Sequence, residues 1–250
     1  MKLTLEIWRQ PGQDAPGRFE YHTMEGLDDS MSILELLDRL NEQLVNSGKE
    51  PFAFESDCRE GICGACGIQV SGTPHGPERN TPACHQRLRS FTDGQMVRIE
   101  PLRSASYPVL RDLMVNRHKL DEVLEAGAHV AINAGTAPDA DSVPVDHTTV
   151  EDALDFAACI GCGACVAACP NGAAHLFVGA KLTHLAMLPL PSKERALRAK
   201  AMIAVADRNF GPCSNYGECA AVCPANVPLA AVAAVNKERL RASFMRRLDK

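Results

Sequence analysis

Leu3, Leu5 and Ile7 alternate with polar neighbours at the start of the chain, and this period of two predicts a half-buried strand. The turn-rich stretch 10–17 separates it from a second strand signal, Phe19-Glu20-Tyr21-His22-Thr23. The period then changes. Ile33, Leu36, Leu37, Leu40 and Leu44 recur at helical spacing, and Ser32-Ile33-Leu34-Glu35 has the form of a capping box that opens the helix. Strand signals return at 67–71 and 96–102. From Tyr107 onward the apolar positions Val109, Leu110, Leu113, Met114, Val123 and Leu124 predict helix. Residues 134–152, rich in Pro, Asp and Thr, predict an exposed loop, and the remainder reads as Ala-rich helix. The pattern thus predicts an α+β chain with strands first and helices after.

Composition narrows the function classes. With 250 residues, 46% of them hydrophobic and 23% charged, the chain has room for one large or two ordinary domains. Its net charge of −5 and pI near 5.9 argue against a dedicated nucleic-acid binder. No apolar run approaches the roughly 18 to 20 residues of a membrane span. The opening residues carry Glu6 where a signal peptide would be apolar, so a soluble chain in a reducing cytoplasm is expected. Charge is uneven along the chain. Residues 106–155 hold three basic and ten acidic side chains, whereas 156–250 hold twelve and five, a net of +7. A solvated helix face accounts for any one of these charges. As a regional bias they suit an anionic membrane surface, with Arg239, Arg241, Arg246 and Arg247 the leading contributors.

The eleven cysteines change the picture most. The number is odd, so a disulfide framework explains it poorly. They fall into groups of four, four and three, and 74 cysteine-free residues separate the first group from the second. That gap carries the expected boundary between domains 1–105 and 106–250. Cys58-x4-Cys63-x2-Cys66, with Cys84 further on, matches the plant-type spacing for a [2Fe–2S] cluster, and Gly61, Gly64 and Gly67 let the loop bend its backbone N–H groups toward sulfur. Zinc also uses C-x2-C pairs, but as separated knuckles and not as three ligands chained in one glycine-laced loop. Cys159-x2-Cys162-x2-Cys165-x3-Cys169-Pro170 is the bacterial ferredoxin run, whose fourth cysteine serves the other cluster. Against that template the last group reads Cys213-x2-Tyr216-x2-Cys219-x3-Cys223-Pro224. Cys223 then completes a [4Fe–4S] with Cys159, Cys162 and Cys165. Cys169, Cys213 and Cys219 are left for a cluster whose fourth position is taken by Tyr216, which suits a [3Fe–4S]; the alternative is a packing tyrosine with another residue or water on a fourth iron. Three clusters make an electron wire. No phosphate loop and no Ser/His/Asp arrangement accompanies them, so no catalytic residue is expected in this chain. The eight histidines are scattered and read as surface or packing residues.

The stretch Cys58-Arg59-Glu60-Gly61-Ile62-Cys63-Gly64-Ala65-Cys66, followed by the two later cysteine groups, resembles the iron–sulfur subunit of succinate dehydrogenase and fumarate reductase over nearly the whole chain. The resemblance implies an N-terminal β-grasp ferredoxin domain and a C-terminal all-α helical ferredoxin domain. It also implies an FAD-containing partner subunit, membrane-anchor subunits and a quinone. Electrons would pass from FAD through the [2Fe–2S], the [4Fe–4S] and the [3Fe–4S] to that quinone, on the cytoplasmic face of the cell membrane. Succinate oxidation and fumarate reduction share this machinery. Two departures stand out. Where ubiquinone-reducing members have a Trp after the Cys-Pro cysteine and a His after the first cysteine of the last group, this chain has Ala174 and Ser214. The family's quinone-site residues are therefore not carried over, and a menaquinone-type acceptor or an altered exit route becomes the expectation. The rival readings are a stand-alone ferredoxin-like carrier, an iron–sulfur subunit of another flavin dehydrogenase, and a zinc-binding structural protein.

Overall fold

Five strands, β1 (Leu3–Arg9), β2 (Arg18–Met24), β3 (Ile68–Val70), β4 (Thr73–Pro74) and β5 (Met96–Pro101), form one mixed sheet in the order β2-β1-β5-β3-β4. The protein is seen here in a computed structural model that describes residues 1–131 and 145–248, with side chains followed to residue 244. Strand β1 sits second in the sheet, antiparallel to β2 and parallel to β5, and buries Leu3, Leu5 and Ile7 completely. Helix α1 (Ile33–Asn46) supplies the other half of that core with Ile33, Leu36, Leu37, Leu40 and Leu44. Its capping box forms as expected: Ser32 Oγ accepts from the Glu35 N–H at 3.2 Å, and Glu35 Oε2 accepts from the Ser32 N–H at 2.6 Å. A helix laid across a mixed sheet in this order is the β-grasp arrangement. Each buried Leu or Ile contributes about 1.5–3 kcal/mol relative to exposure.

The segment after Tyr107 differs from the helix that its apolar spacing predicts. Strands β6 (Val109–Arg111) and β7 (Met114–Val115) form a hairpin, and helix α2 begins only at His118 and runs to Val123, followed by a π-helical turn over Leu124–Ala128. The reason lies in long-range bonds to Asp112, which turns the hairpin at φ +45° and is completely buried. Its carboxylate accepts from the N–H groups of Gln10 and Ala53, both at 2.8 Å, and pairs with Arg9 at 3.1 Å. A buried carboxylate so held fixes its neighbours in extended conformation, which local periodicity cannot register.

The second half is helical: α3 (His147–Ala157), α4 (Ala164–Ala168), α5 (His175–Met187), α6 (Ser192–Asn209), α7 (Glu218–Ala221) and α8 (Ala231–Leu248). Residues 147–152, expected in a loop, open α3 instead. Asp146 caps it, with its carboxylate accepting from the Thr149 N–H at 2.9 Å and the Thr149 hydroxyl at 2.6 Å. Residues 134–144 of that predicted loop lie outside the described residues. Helix α5 is predominantly apolar and becomes the centre of this half, burying Leu176, Phe177, Val178, Ala180, Leu182 and Leu185. The two cores interleave along the chain, since Leu102 and Tyr107 pack in the second while Leu113 packs in the first.

Candidate metal centres

Cys58, Cys63 and Cys66 lie on a loop between α1 and β3 that coils through positive φ at Arg59, Gly61 and Gly64, and Cys84 comes from the segment between β4 and β5. This path turns backbone donors toward sulfur. Cys58 Sγ accepts from the N–H groups of Glu60 at 3.3 Å, Ile62 at 3.4 Å and Cys63 at 3.3 Å, and Cys63 Sγ accepts from that of Ala65 at 3.4 Å. The three N–H groups hold the Cys58 thiol down to about 7, so its thiolate is stabilised before any metal arrives. Cys66 and Cys84 face inward and are buried. Burial, reinforced by the neighbouring Cys84 and Cys63 sulfurs, pushes the Cys66 thiol up to about 12. A thiolate there requires a compensating positive charge, as iron provides.

The other seven cysteines stand in the helical half around two spaces. One is lined by Cys159, Cys162, Cys165 and Cys223, with Leu176, Phe177 and Pro224 completing its wall. The other, a cavity of about 360 Å³, is lined by Cys169, Cys213 and Cys219 together with Tyr216 and His175. Helices α4 and α7 pack on each other, so Cys169 and Cys223, each just after one of them, are placed opposite the group that follows or precedes them in sequence. Burial pushes Cys162 up to about 12, with Cys159 and Cys223 adding to it, and pushes Cys165 well above the usual thiol range. Cys159 is raised by burial too, opposed by Lys181, whose Nζ donates to the Cys159 carbonyl at 3.1 Å. Burial raises Cys219, and the sulfurs of Cys169 and Cys213 add to the effect. So many thiols crowded together in apolar surroundings fit a multi-iron group, whose charge lets them all ionise.

The first and second cysteine loops touch, and nothing in the sequence points to how. Gly64, at φ +70°, lies against the second loop so closely that a Cβ there would meet the Ile160 carbonyl oxygen at 2.3 Å. Arg117, just before α2, joins the same two loops. Its Nη1 donates to the Gly64 carbonyl at 2.6 Å and the Cys162 carbonyl at 3.0 Å, while its Nη2 donates to the Ala65 carbonyl at 3.3 Å and pairs with Glu55 at 3.1 Å. Its charge pattern in the sequence is that of any loop arginine.

Other residues singled out from the sequence take these places. Tyr216 is 60% exposed at the mouth of the Cys169–Cys213–Cys219 cavity. Ala174 is buried at the start of α5, and Ser214 Oγ accepts from Asn171 Nδ2 at 2.8 Å beside the same cavity. Arg239 is engaged by Asp207 at 2.6 and 2.8 Å, and Arg241 lies 3.8 Å from Glu238, so neither is a free surface cation. The side chains of Arg246 and Arg247 lie outside the described residues. His75 is a core residue: it is 1% exposed, and its Nδ1 accepts from the Ala83 N–H at 3.2 Å.

A β-grasp module carrying one cysteine-rich loop, joined to a helical module carrying two more groups, defines an iron–sulfur electron-transfer protein. A family model described as a 2Fe-2S iron-sulfur cluster binding domain matches residues 4–122, and one described as a 4Fe-4S dicluster domain matches residues 158–227. The fumarate reductase iron-sulfur subunit of Escherichia coli O6:H1 is 30% identical over 209 residues, covering 82% of this chain and 80% of its own. That of Haemophilus influenzae is 31% identical over 86% of this chain and 83% of its own, and the succinate dehydrogenase iron-sulfur subunit of Bacillus subtilis is 25% identical over 84% and 81%. A chain of the Mycobacterium smegmatis Sdh1 complex in the apo form shares the fold, with a TM-score of 0.68 at 20% identity over 98% of this chain and 97% of that one. The protein belongs to the family of iron–sulfur subunits of succinate dehydrogenase and fumarate reductase, and it transfers electrons as part of such an oxidoreductase.

Proposed function

We propose that Cys58, Cys63, Cys66 and Cys84 hold a [2Fe–2S] cluster, that Cys159, Cys162, Cys165 and Cys223 hold a [4Fe–4S], and that Cys169, Cys213 and Cys219 hold a [3Fe–4S]. When bound, these groups supply one-electron transfer between an FAD-containing subunit and a quinone at the interface with a membrane anchor. The division into domains 1–105 and 106–250 belongs to the same reading. The chain would lie peripherally on the cytoplasmic face of the cell membrane, held by its anchor, and among the described residues no helix is long and apolar enough to cross the bilayer.

One observation carries this reading: the loop of the first cysteine group is packed directly on that of the second, through Gly64 and Arg117. Tunnelling rates fall exponentially with distance, so contact between the loops is what a relay requires. The chain's own residues ligate through thiolates, stabilise those thiolates with aimed N–H groups, and exclude water from the inner cysteines. In this reading the chain has no hydride acceptor or dicarboxylate site of its own.

Low-temperature EPR of the oxidised and reduced complex tests the reading by counting clusters and naming their types. Three signals, one of each type, are expected. The purified, flavin-free chain should oxidise no succinate, and activity should require a flavoprotein partner. Succinate–dye reductase activity in the isolated chain would overturn the assignment.

A further inference from the structure

Tyr107 is 1% exposed and packs edge-on against Phe210, with ring centroids 6.5 Å apart. Its hydroxyl reaches the second cysteine loop. Gly163, between Cys162 and Cys165, adopts φ +84°, and a Cβ there would stand 3.1 Å from Tyr107 Oη. Among the described residues this hydroxyl has no hydrogen-bond partner. A buried hydroxyl left unpaired is costly, so an orphan in a well-packed core calls for an acceptor. Cys162 shares the buried cluster of Tyr107 and Cys165 packs against it, so the loop that carries Gly163 brings sulfur acceptors to this core. A phenol keeps its proton at neutral pH, so Tyr107 is available as a donor.

We propose that the Tyr107 hydroxyl donates a hydrogen bond to sulfur of the [4Fe–4S] group held by Cys159, Cys162, Cys165 and Cys223, and that this bond raises the group's reduction potential. The inference rests on the ligand assignment made above. Its physical basis is differential. Reduction adds one negative charge, shared by the sulfurs, and an O–H dipole aimed at sulfur stabilises the more negative state more. Tyr107 therefore acts as a tuning residue. It is not a ligand.

A potentiometric EPR titration of the assembled complex, wild type beside Tyr107→Phe, tests this. The phenylalanine keeps the ring and removes only the hydroxyl. The equilibrium constant for reducing the [4Fe–4S] should fall about fivefold, which is about 40 mV at 59 mV per tenfold for one electron. The [2Fe–2S] potential should not move, and one exchangeable-proton coupling should vanish from the [4Fe–4S] ENDOR spectrum. An unchanged [4Fe–4S] potential in a fully loaded variant overturns the role of Tyr107. A wild-type complex without a [4Fe–4S] signal overturns the ligand assignment, and the hydrogen bond with it. Should the phenylalanine variant fail to load its clusters, 3-fluorotyrosine placed at 107 carries the test. Its more acidic phenol donates more strongly, so the potential should rise, and a fall or no change overturns the proposal.

Discussion

Gly64 and Ile160, 96 positions apart in sequence, are in backbone contact: a methyl group on Gly64 would sit 2.3 Å from the Ile160 carbonyl oxygen. That contact sets the gap between the first and second cysteine loops. Gly64→Ala should therefore push them apart. The left-handed backbone at φ +70° adds about 1–2 kcal/mol of strain for any L side chain. The expected outcome is a lower melting temperature together with weaker magnetic coupling between the two reduced centres in EPR. Unchanged coupling would show that the loops are held apart by something other than this glycine.

Arg117 holds the same junction from the side, and its side chain is only 18% exposed. Arg117→Met removes its bonds to the Gly64, Ala65 and Cys162 carbonyls and its pairing with Glu55. Charged hydrogen bonds of this kind, not additive, suggest a loss of about 2–4 kcal/mol. Arg117→Lys should recover only part of it, because an ammonium cannot span several carbonyls with a planar fork. Denaturant titration of both variants measures the difference, and equal stability of lysine and methionine at 117 would deny the clamp.

His75 gives the protein an acid-sensitive point. Burial, with Arg117 adding, holds its imidazole down to about 4, against 6.5 for an ordinary histidine. The folded state thus resists a proton that the unfolded chain accepts. Stability should be level above pH 6.5, fall as the pH drops toward 4, and level off again below it. Linkage puts the loss at about 2 kcal/mol by pH 5. Melting temperatures at pH 7 and pH 5 should diverge in the wild type and converge in His75→Gln, whose amide can still accept from Ala83 but does not titrate.

Tyr216→Cys should convert the proposed [3Fe–4S] to a [4Fe–4S], since it supplies the missing thiolate at the mouth of that cavity. The expected signature is loss of the [3Fe–4S] EPR signal in the oxidised complex, a lower terminal potential and slower quinone reduction, with dye reduction at the flavin intact. Removal of a buried aromatic would destabilise the protein by leaving a cavity, but Tyr216 is 60% exposed, so melting temperature should change little. A retained [3Fe–4S] signal in the cysteine variant would mean that position 216 does not face the vacant corner.

Cysteine spacing, the period-two strands and the capped helix at Ser32 were legible in the chain itself, because each depends on residues a few positions apart. So was the α+β order, and the template that singles out Tyr216. The hairpin at Asp112 was not legible, because its conformation is dictated by Arg9, Gln10 and Ala53, which lie about 60 to 100 positions away. Asp146 was legible only as a loop residue, and its capping of α3 depends on the helix that follows. Sequence spacing separates the cysteine groups but says nothing of how their loops meet. Folding brings Gly64 onto Ile160, aims Arg117 at carbonyls of both loops and turns the Tyr107 hydroxyl toward Gly163. The spacing within each cysteine group is local and was written in the sequence. The distances and hydrogen bonds that tune an electron wire arise from long-range packing, and only the tertiary structure decided them.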